Sequence, residues 1–327
     1  MAFHRPAPAA LLRCAVAAVL CVAFTVSRAA FGVAHAAQPA PAAGQQADFN
    51  GDGFDDLAVG ASFEDLGGAL DAGAVNVLYG SAAGLTGRGS QLFTRDSPGV
   101  RGNAQQADHL GDALAAGDFD ADGFGYLAIG ILFDKAGGLN GGAVVVLSGS
   151  AAGLTGAGAQ FWTEDSPGVP DQAEIDDNLG FSVALSDNDG DGDADLAAGA
   201  IGEPVGNAGA AGAVAVLAGS PAGLTAAGSR LLTQDSPGVP GSAEIGDRLG
   251  FKLAVGDFDG DGFADDAAGA WTEGVGPNPQ AGAVNVLYGS AAGLTGAGSQ
   301  VFTQDSPGVP GTAEHDDLFG GALAADN

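Results

Sequence analysis

Asp187-Asn188-Asp189-Gly190-Asp191-Gly192 leads through Asp193-Ala194-Asp195 into the apolar run Leu196-Ala197-Ala198-Gly199. Oxygen-bearing side chains on alternate residues, with a glycine turning the chain at the sixth place, suit a hard cation such as Ca²⁺. The string recurs as Asp48-Phe49-Asn50-Gly51-Asp52-Gly53, Asp118-Phe119-Asp120-Ala121-Asp122-Gly123 and Asp257-Phe258-Asp259-Gly260-Asp261-Gly262. The first residues of the four copies stand 70, 69 and 70 apart. A constant period of this length means one structural unit used four times.

Each unit carries four short β-prone runs in a fixed order. The acidic loop opens into Leu57–Gly60 and its counterparts Leu127–Gly130, Leu196–Gly199 and Asp266–Gly269. After a Gly-rich turn come Ala74–Tyr79, Ala143–Leu147, Ala213–Leu217 and Ala283–Tyr288, then a G-S-x-A-G-L-T string that breaks the strand. The third runs are Gln91–Thr94, Gln160–Thr163, Arg230–Thr233 and Gln300–Thr303. An Asp-Ser-Pro-Gly turn follows each, starting at Asp96, Asp165, Asp235 and Asp305, with Pro fixing φ and Gly permitting φ > 0. The fourth runs, Ala113–Gly117, Ser182–Ser186, Lys252–Gly256 and Gly321–Ala325, lead to the next acidic loop. Four strands per unit, with no 3.6-residue periodicity, predict an all-β fold, a β-propeller with one four-stranded blade per repeat. A β-solenoid is the rival, but its coils are shorter and more uniform.

Leu179-Gly180-Phe181 and Leu249-Gly250-Phe251, taken with Val59-Gly60-Ala61, Ala198-Gly199-Ala200 and Ala268-Gly269-Ala270, carry a family likeness. Over residues 48–327 the chain resembles the FG-GAP repeat family, the blades of integrin α-subunit propellers and of many secreted bacterial proteins. The third motif residue departs from the family, with Ser62, Leu132, Ile201 and Trp271 in place of proline. The repeats are counted as 48–117, 118–186, 187–256 and 257–327. Family members usually close seven blades, so the resemblance implies a truncated propeller. The alternative is a closed four-blade ring in which Gly321–Ala325 completes the first blade.

The resemblance also implies the ligand set: side chains at loop positions 1, 3, 5 and 9 and the carbonyl of position 7, all holding Ca²⁺. Carried over, these are Asp48, Asn50, Asp52, Phe54 and Asp56 in the first loop. The third loop offers Asp187, Asp189, Asp191, Asp193 and Asp195, and the fourth Asp257, Asp259, Asp261, Phe263 and Asp265. The second offers Asp118, Asp120, Asp122 and Phe124, but Tyr126 stands at position 9, so weaker binding is expected there. None is an EF-hand, since position 12 is Val59, Ile129, Ala198 or Ala268 rather than a bidentate Glu. Unneutralised carboxylates this close would repel one another, which predicts a structural role for the ion.

Residues 1–36 read as a cleaved signal peptide: Arg5 and Arg13, the uncharged run Cys14–Val26, and the small-x-small site Ala34-His35-Ala36. Thirteen residues are too few to span a bilayer, so no membrane span is expected. Residues 37–47 form a Pro/Ala-rich linker. Both cysteines lie in the leader, so the mature chain has no disulfide. Loss of Arg5, Arg13 and Arg28 leaves 7 basic against 40 acidic residues, a net charge of −33. Nucleic acid and anionic lipid are excluded as partners by that charge. A content of 46% hydrophobic residues argues against disorder.

Two further acidic sets recur: Glu64, Asp134, Glu203 and Glu273 after the GAP-like glycines, and Asp108, Asp177, Asp247 and Asp317 before the FG-like ones. Turn hydrogen bonds and solubility are their ordinary use. The mature histidines, His109 and His315, occupy non-equivalent positions, and no G-x-S-x-G elbow or zinc cluster occurs. The expectation is a non-enzyme: a secreted, calcium-binding adhesion or binding module for an extracellular protein or glycan. The alternatives are the non-catalytic propeller of a secreted hydrolase, or a fragment of a longer repeat protein. Open blade edges would give it a route to self-association.

Overall fold

Small and β-branched residues alternate with glycine-bounded turns along the chain, and each such run is a strand in the computed structural model, which describes residues 47–120, 122–135 and 140–325. The leader and nearly all of the linker lie outside the described residues. The first sheet holds β1 (Leu57–Ala61), β2 (Ala74–Tyr79) and β3 (Thr86–Phe93). The second holds β4 (Leu110–Gly117), β5 (Tyr126–Ile131), β6 (Ala143–Ser148) and β7 (Thr155–Trp162). The third holds β8 (Leu179–Ser186), β9 (Asp195–Ala200), β10 (Ala213–Ala218) and β11 (Thr225–Leu232). The fourth holds β12 (Leu249–Gly256), β13 (Asp265–Ala270), β14 (Ala283–Tyr288) and β15 (Thr295–Phe302). Every sheet is an antiparallel meander in chain order, the strand content of propeller blades.

Each four-stranded sheet begins one strand before its acidic loop. A unit counted from the loop therefore gives its last strand to the next sheet, and consecutive sheets are stitched by the chain itself. Parallel bridges Gly73–Leu110, Gly142–Leu179 and Gly212–Leu249 mark the stitches.

The inter-sheet core explains the strand chemistry. β9 and β10 are buried along almost their whole length between neighbouring sheets, and β13 is buried as well, with Phe319 and Leu323 packed against the outer side of its sheet. Alanine and valine fill these layers, with Leu127, Ile129, Leu147, Leu196, Leu249 and Leu287 as the large fully buried residues. β1 is the exception: Leu57 and Val59 are 43% and 41% exposed, while their counterparts Leu127 and Ile129 are each 1% exposed. No inner strand and no preceding sheet covers β1 among the described residues.

The four sheets do not close. Inner-strand contacts run from β1 to β4, β4 to β8 and β8 to β12. The C-terminal run does not complete the first blade, which corrects the closed-ring alternative. Instead the Phe319 N–H donates to the Ala281 carbonyl at 2.8 Å, as Leu179 and Leu249 do to Gly141 and Ala211 at 2.8 and 2.9 Å. Residues 318–320 thus occupy the place where an inner strand begins, against the fourth sheet, and Gly321–Ala325 form no strand.

Candidate functional site

The second, third and fourth acidic loops join the inner strand of a sheet to its neighbour, the first leads into β1, and their carboxylates first serve the backbone. The position 1 carboxylate accepts the N–H of the position 6 glycine: Gly53 to Asp48 at 2.8 Å, Gly123 to Asp118 at 3.0 Å, Gly192 to Asp187 and Gly262 to Asp257 both at 3.1 Å. Position 3 accepts from position 5, as in Asp52 to Asn50 at 2.9 Å and Asp191 to Asp189 at 3.1 Å. Position 5 accepts from position 7, as in Phe54 to Asp52 at 3.0 Å and Phe263 to Asp261 at 2.9 Å. These bonds turn successive oxygens toward one side of each loop. One oxygen each from Asp118, Asp120 and Asp122 lie within 4.8 Å of one another, and likewise from Asp187, Asp189 and Asp191.

Position 9 does a second job. Asp56 accepts the Phe49 and Gly80 N–H groups, both at 2.8 Å. Asp195 accepts Asn188 at 3.0 Å and Gly219 at 2.8 Å, and Asp265 accepts Phe258 at 2.7 Å and Gly289 at 2.9 Å. This carboxylate ties the loop to the end of the strand two places on. Burial pushes the Asp195 carboxyl up to about 7, against the pull of those two donors. Asp56 and Asp265 are raised for the same reason. In the second loop the Tyr126 hydroxyl donates to Asp120 at 3.0 Å, and its ring packs edge-on against Phe119. A neutral donor thus stands where the other loops hold a third or fourth negative charge.

The donor set fits a hard cation. It is all oxygen, spaced for one ion, and among the described residues no arginine or lysine pairs with a loop carboxylate. Burial raises the Asp189 carboxyl most, the Asp191 N–H pulls it back, and the like charges of Asp191 and Asp187 raise it further.

At the opposite ends of the same strands lie three junctions that sequence reasoning missed. The two further acidic sets, treated as separate in the sequence, meet there, and each junction receives one residue from the preceding sheet. That residue is the variable one in T-x-D-S-P-G: Arg95, Glu164 or Gln234. Arg95 is buried, lies 3.9 Å from Asp108 and ion-pairs with Asp134. Gln234 donates to Glu273 at 2.7 Å beside Asp247. Glu164 sits against Asp177 and Glu203. The one detectable signal was variation at a single place in an otherwise repeated string.

Elsewhere Phe181 and Phe251 of the inner strands and Trp271 after β13 form a half-buried aromatic run. Phe181 lies 5.0 Å from Phe251, which stacks on Trp271 at 4.0 Å and 10°, with the Lys252 ammonium over Phe181 and Phe251. His109 packs between Phe63 and Phe133, and the exposed His315 meets Asp316 at 2.8 Å, so the histidines form no common site. No helix among the described residues is long and apolar enough to cross a membrane.

Comparison with known proteins matches the FG-GAP repeat over residues 40–78. Three curated relatives are phosphatidylinositol-glycan-specific phospholipases D. Those of Rattus norvegicus and Mus musculus are each 34% identical over 152 residues, 46% of this chain and 17% of the relative. That of Bos taurus is 32% identical over 155 residues, 47% of this chain and 17% of the relative. The chain therefore spans less than a fifth of the relatives it matches.

Proposed function

Taking this chain as a member of the FG-GAP repeat family, we propose that it is a calcium-stabilised, non-catalytic module that binds an extracellular partner after secretion. The observation that carries the reading is the recurrence of one oxygen-lined loop in every unit, with carboxylates converging in the second and third loops and, among the described residues, no arginine or lysine paired with them. A reaction centre is needed once; a device repeated in each sheet belongs to the scaffold. The ions would be held by the side chains at positions 1, 3, 5 and 9, with Tyr126 weakening the second loop. Calcium supplies charge neutralisation there, and the chain's own N–H donors set the oxygens in place.

For the partner, the half-buried Phe181, Phe251 and Trp271 rings with Lys252 offer an aromatic face edged by positive charge, suited to a glycan or an aromatic-rich protein segment. A glycan array probed in millimolar calcium tests this. Binding that is lost in Trp271→Ala supports the face; binding that survives the substitution, or no binding by the unaltered chain, rejects it. Open β1 gives the same module a surface for self-association, measurable by light scattering.

The relatives favour a second reading, in which this chain corresponds to the propeller portion of a phosphatidylinositol-glycan-directed hydrolase. Vesicles carrying a phosphatidylinositol-glycan-anchored reporter separate the two. Release of the reporter by this chain would make it an enzyme and reject the module reading. Co-sedimentation without release supports a substrate-docking propeller.

A further inference from the structure

Glu164, Asp177 and Glu203 are 1%, 0% and 2% exposed, and one oxygen from each lies within 4.8 Å of the others. Both oxygens of Glu164, Oδ1 of Asp177 and Oε2 of Glu203 have no hydrogen-bond partner. The second oxygen of Asp177 accepts the Glu174 N–H. Asp171 and Glu174 add more negative charge around Glu203. Buried carboxylates aimed at one point are costly unless protons or a cation stand among them, and burial with the neighbouring acids pushes the Glu164 carboxyl up to about 9 and Glu203 up to about 8.

The preceding junction contains that positive group. There the Arg95 guanidinium reaches Asp108 and Asp134, the counterparts of Asp177 and Glu203, donates to the Arg101 carbonyl at 3.0 Å and lies over Phe161. In the following junction a neutral amide donor, Gln234, meets Glu273. Three equivalent places thus hold the same pair of acids facing a cation, a third acid, and an amide. A third acid makes the middle junction an anionic cage where its neighbours carry a donor.

We propose that the Glu164–Asp177–Glu203 junction is a divalent-cation site, occupied by an ion in the place where the preceding junction puts the Arg95 guanidinium. Oxygens bound to one Ca²⁺ at about 2.3–2.6 Å can stand up to about 5 Å apart, whereas Mg²⁺ at about 2.0–2.1 Å holds them within about 4.2 Å. The three oxygens lie within 4.8 Å of one another, inside the limit that one bound Ca²⁺ sets. The site is separate from the acidic loops, since it lies at the other ends of the same strands. It joins the second sheet to the third, so the ion acts as a clamp between blades.

The test is calorimetric titration of metal-stripped protein with CaCl₂, comparing the unaltered chain with Glu164→Gln and Glu164→Arg. Gln already stands at the equivalent positions 234 and 304, and Arg at 95, so both variants reuse solutions the fold accepts. Circular dichroism confirms folding. The expected result is one Ca²⁺ fewer per chain in both variants, and for Glu164→Arg a higher melting temperature than the unaltered chain in chelator. Equal stoichiometry in all three proteins overturns the site. The loops are identical in the three, so a failure of loop binding lowers every count together, while the junction is read from the difference.

Discussion

Gly199 lies so close to the carbonyl oxygen of Gly250 that a β-carbon on it would stand 2.1 Å from that oxygen. The same approach joins Gly60 to Gly111, Gly130 to Gly180 and Gly269 to Gly320, at 2.0, 2.1 and 2.3 Å. The second glycine of each pair has φ between 86° and 95° in the four places. The repeated glycines are therefore the two halves of one backbone-to-backbone contact, between adjacent sheets in three places and between the fourth sheet and the segment that follows it in the last.

Gly199→Ala should destabilise the fold by about 1–3 kcal/mol or more, because the clash is with backbone rather than a movable side chain. Gly209 is exposed with nothing near its missing β-carbon. Gly209→Ala should stay within about 0.5 kcal/mol of the unaltered chain. Urea denaturation of the two variants measures the contrast, and equal stability would contradict the contact.

Asp195→Ala removes the acceptor of two backbone N–H groups at once. A loss of about 2–4 kcal/mol is expected, from two donors at about 1–2 kcal/mol each. The deficit should persist in chelator, since the tie does not need the ion. If the variant and the unaltered chain melt together once calcium is removed, Asp195 is a ligand and nothing more.

Tyr126→Phe should cost about 1 kcal/mol through the lost bond to Asp120. Tyr126→Asp should instead tighten calcium binding by the second loop, by restoring the acid present in the other three. Titration calorimetry on the two variants reads both effects.

Burial, partly offset by Gln234, pushes the Glu273 carboxyl up from 4.5 to about 7, and Asp247 beside it rises to about 6. Below about pH 4.5 Glu273 is protonated folded and unfolded. Between there and about pH 7 the folded state keeps a proton that the unfolded chain releases, so stability falls as pH rises, and above about 7 the loss is complete. Glu273→Gln should flatten that part of the melting-temperature profile in chelator. An unchanged slope would show that Glu273 is not titrating in this window.

Much of the fold was legible in the sequence because β-prone runs and glycine turns recur in a fixed order; Ala74–Tyr79 and Ala283–Tyr288 match their strands end to end. The longer β3 and β4 were read short, since Gly87, Gly89 and Gly111 resemble breaks, although the sheet pairs across them. Ring closure was not legible: strand number permits it, but whether Phe319-Gly320 meets β1 or Gly269 depends on how sheets stack. The loop residues stood out because their period and chemistry coincide. The junctions did not, because Arg95, Glu164 and Gln234 share a place in space but no chemical type, and one acid of each pair (Asp134, Glu203 or Glu273) lies in the following unit.

The most direct measurement is thermal unfolding of metal-stripped protein as CaCl₂ is added back, with calcium uptake counted on the same sample. Binding to the folded state alone at a hundredfold excess over Kd stabilises by about 2.7 kcal/mol per site. The melting temperature should therefore climb by several degrees as the loops fill, with at least three ions taken up per chain if the first, third and fourth loops bind. A melting temperature indifferent to calcium, with no uptake at millimolar concentration, would contradict the account.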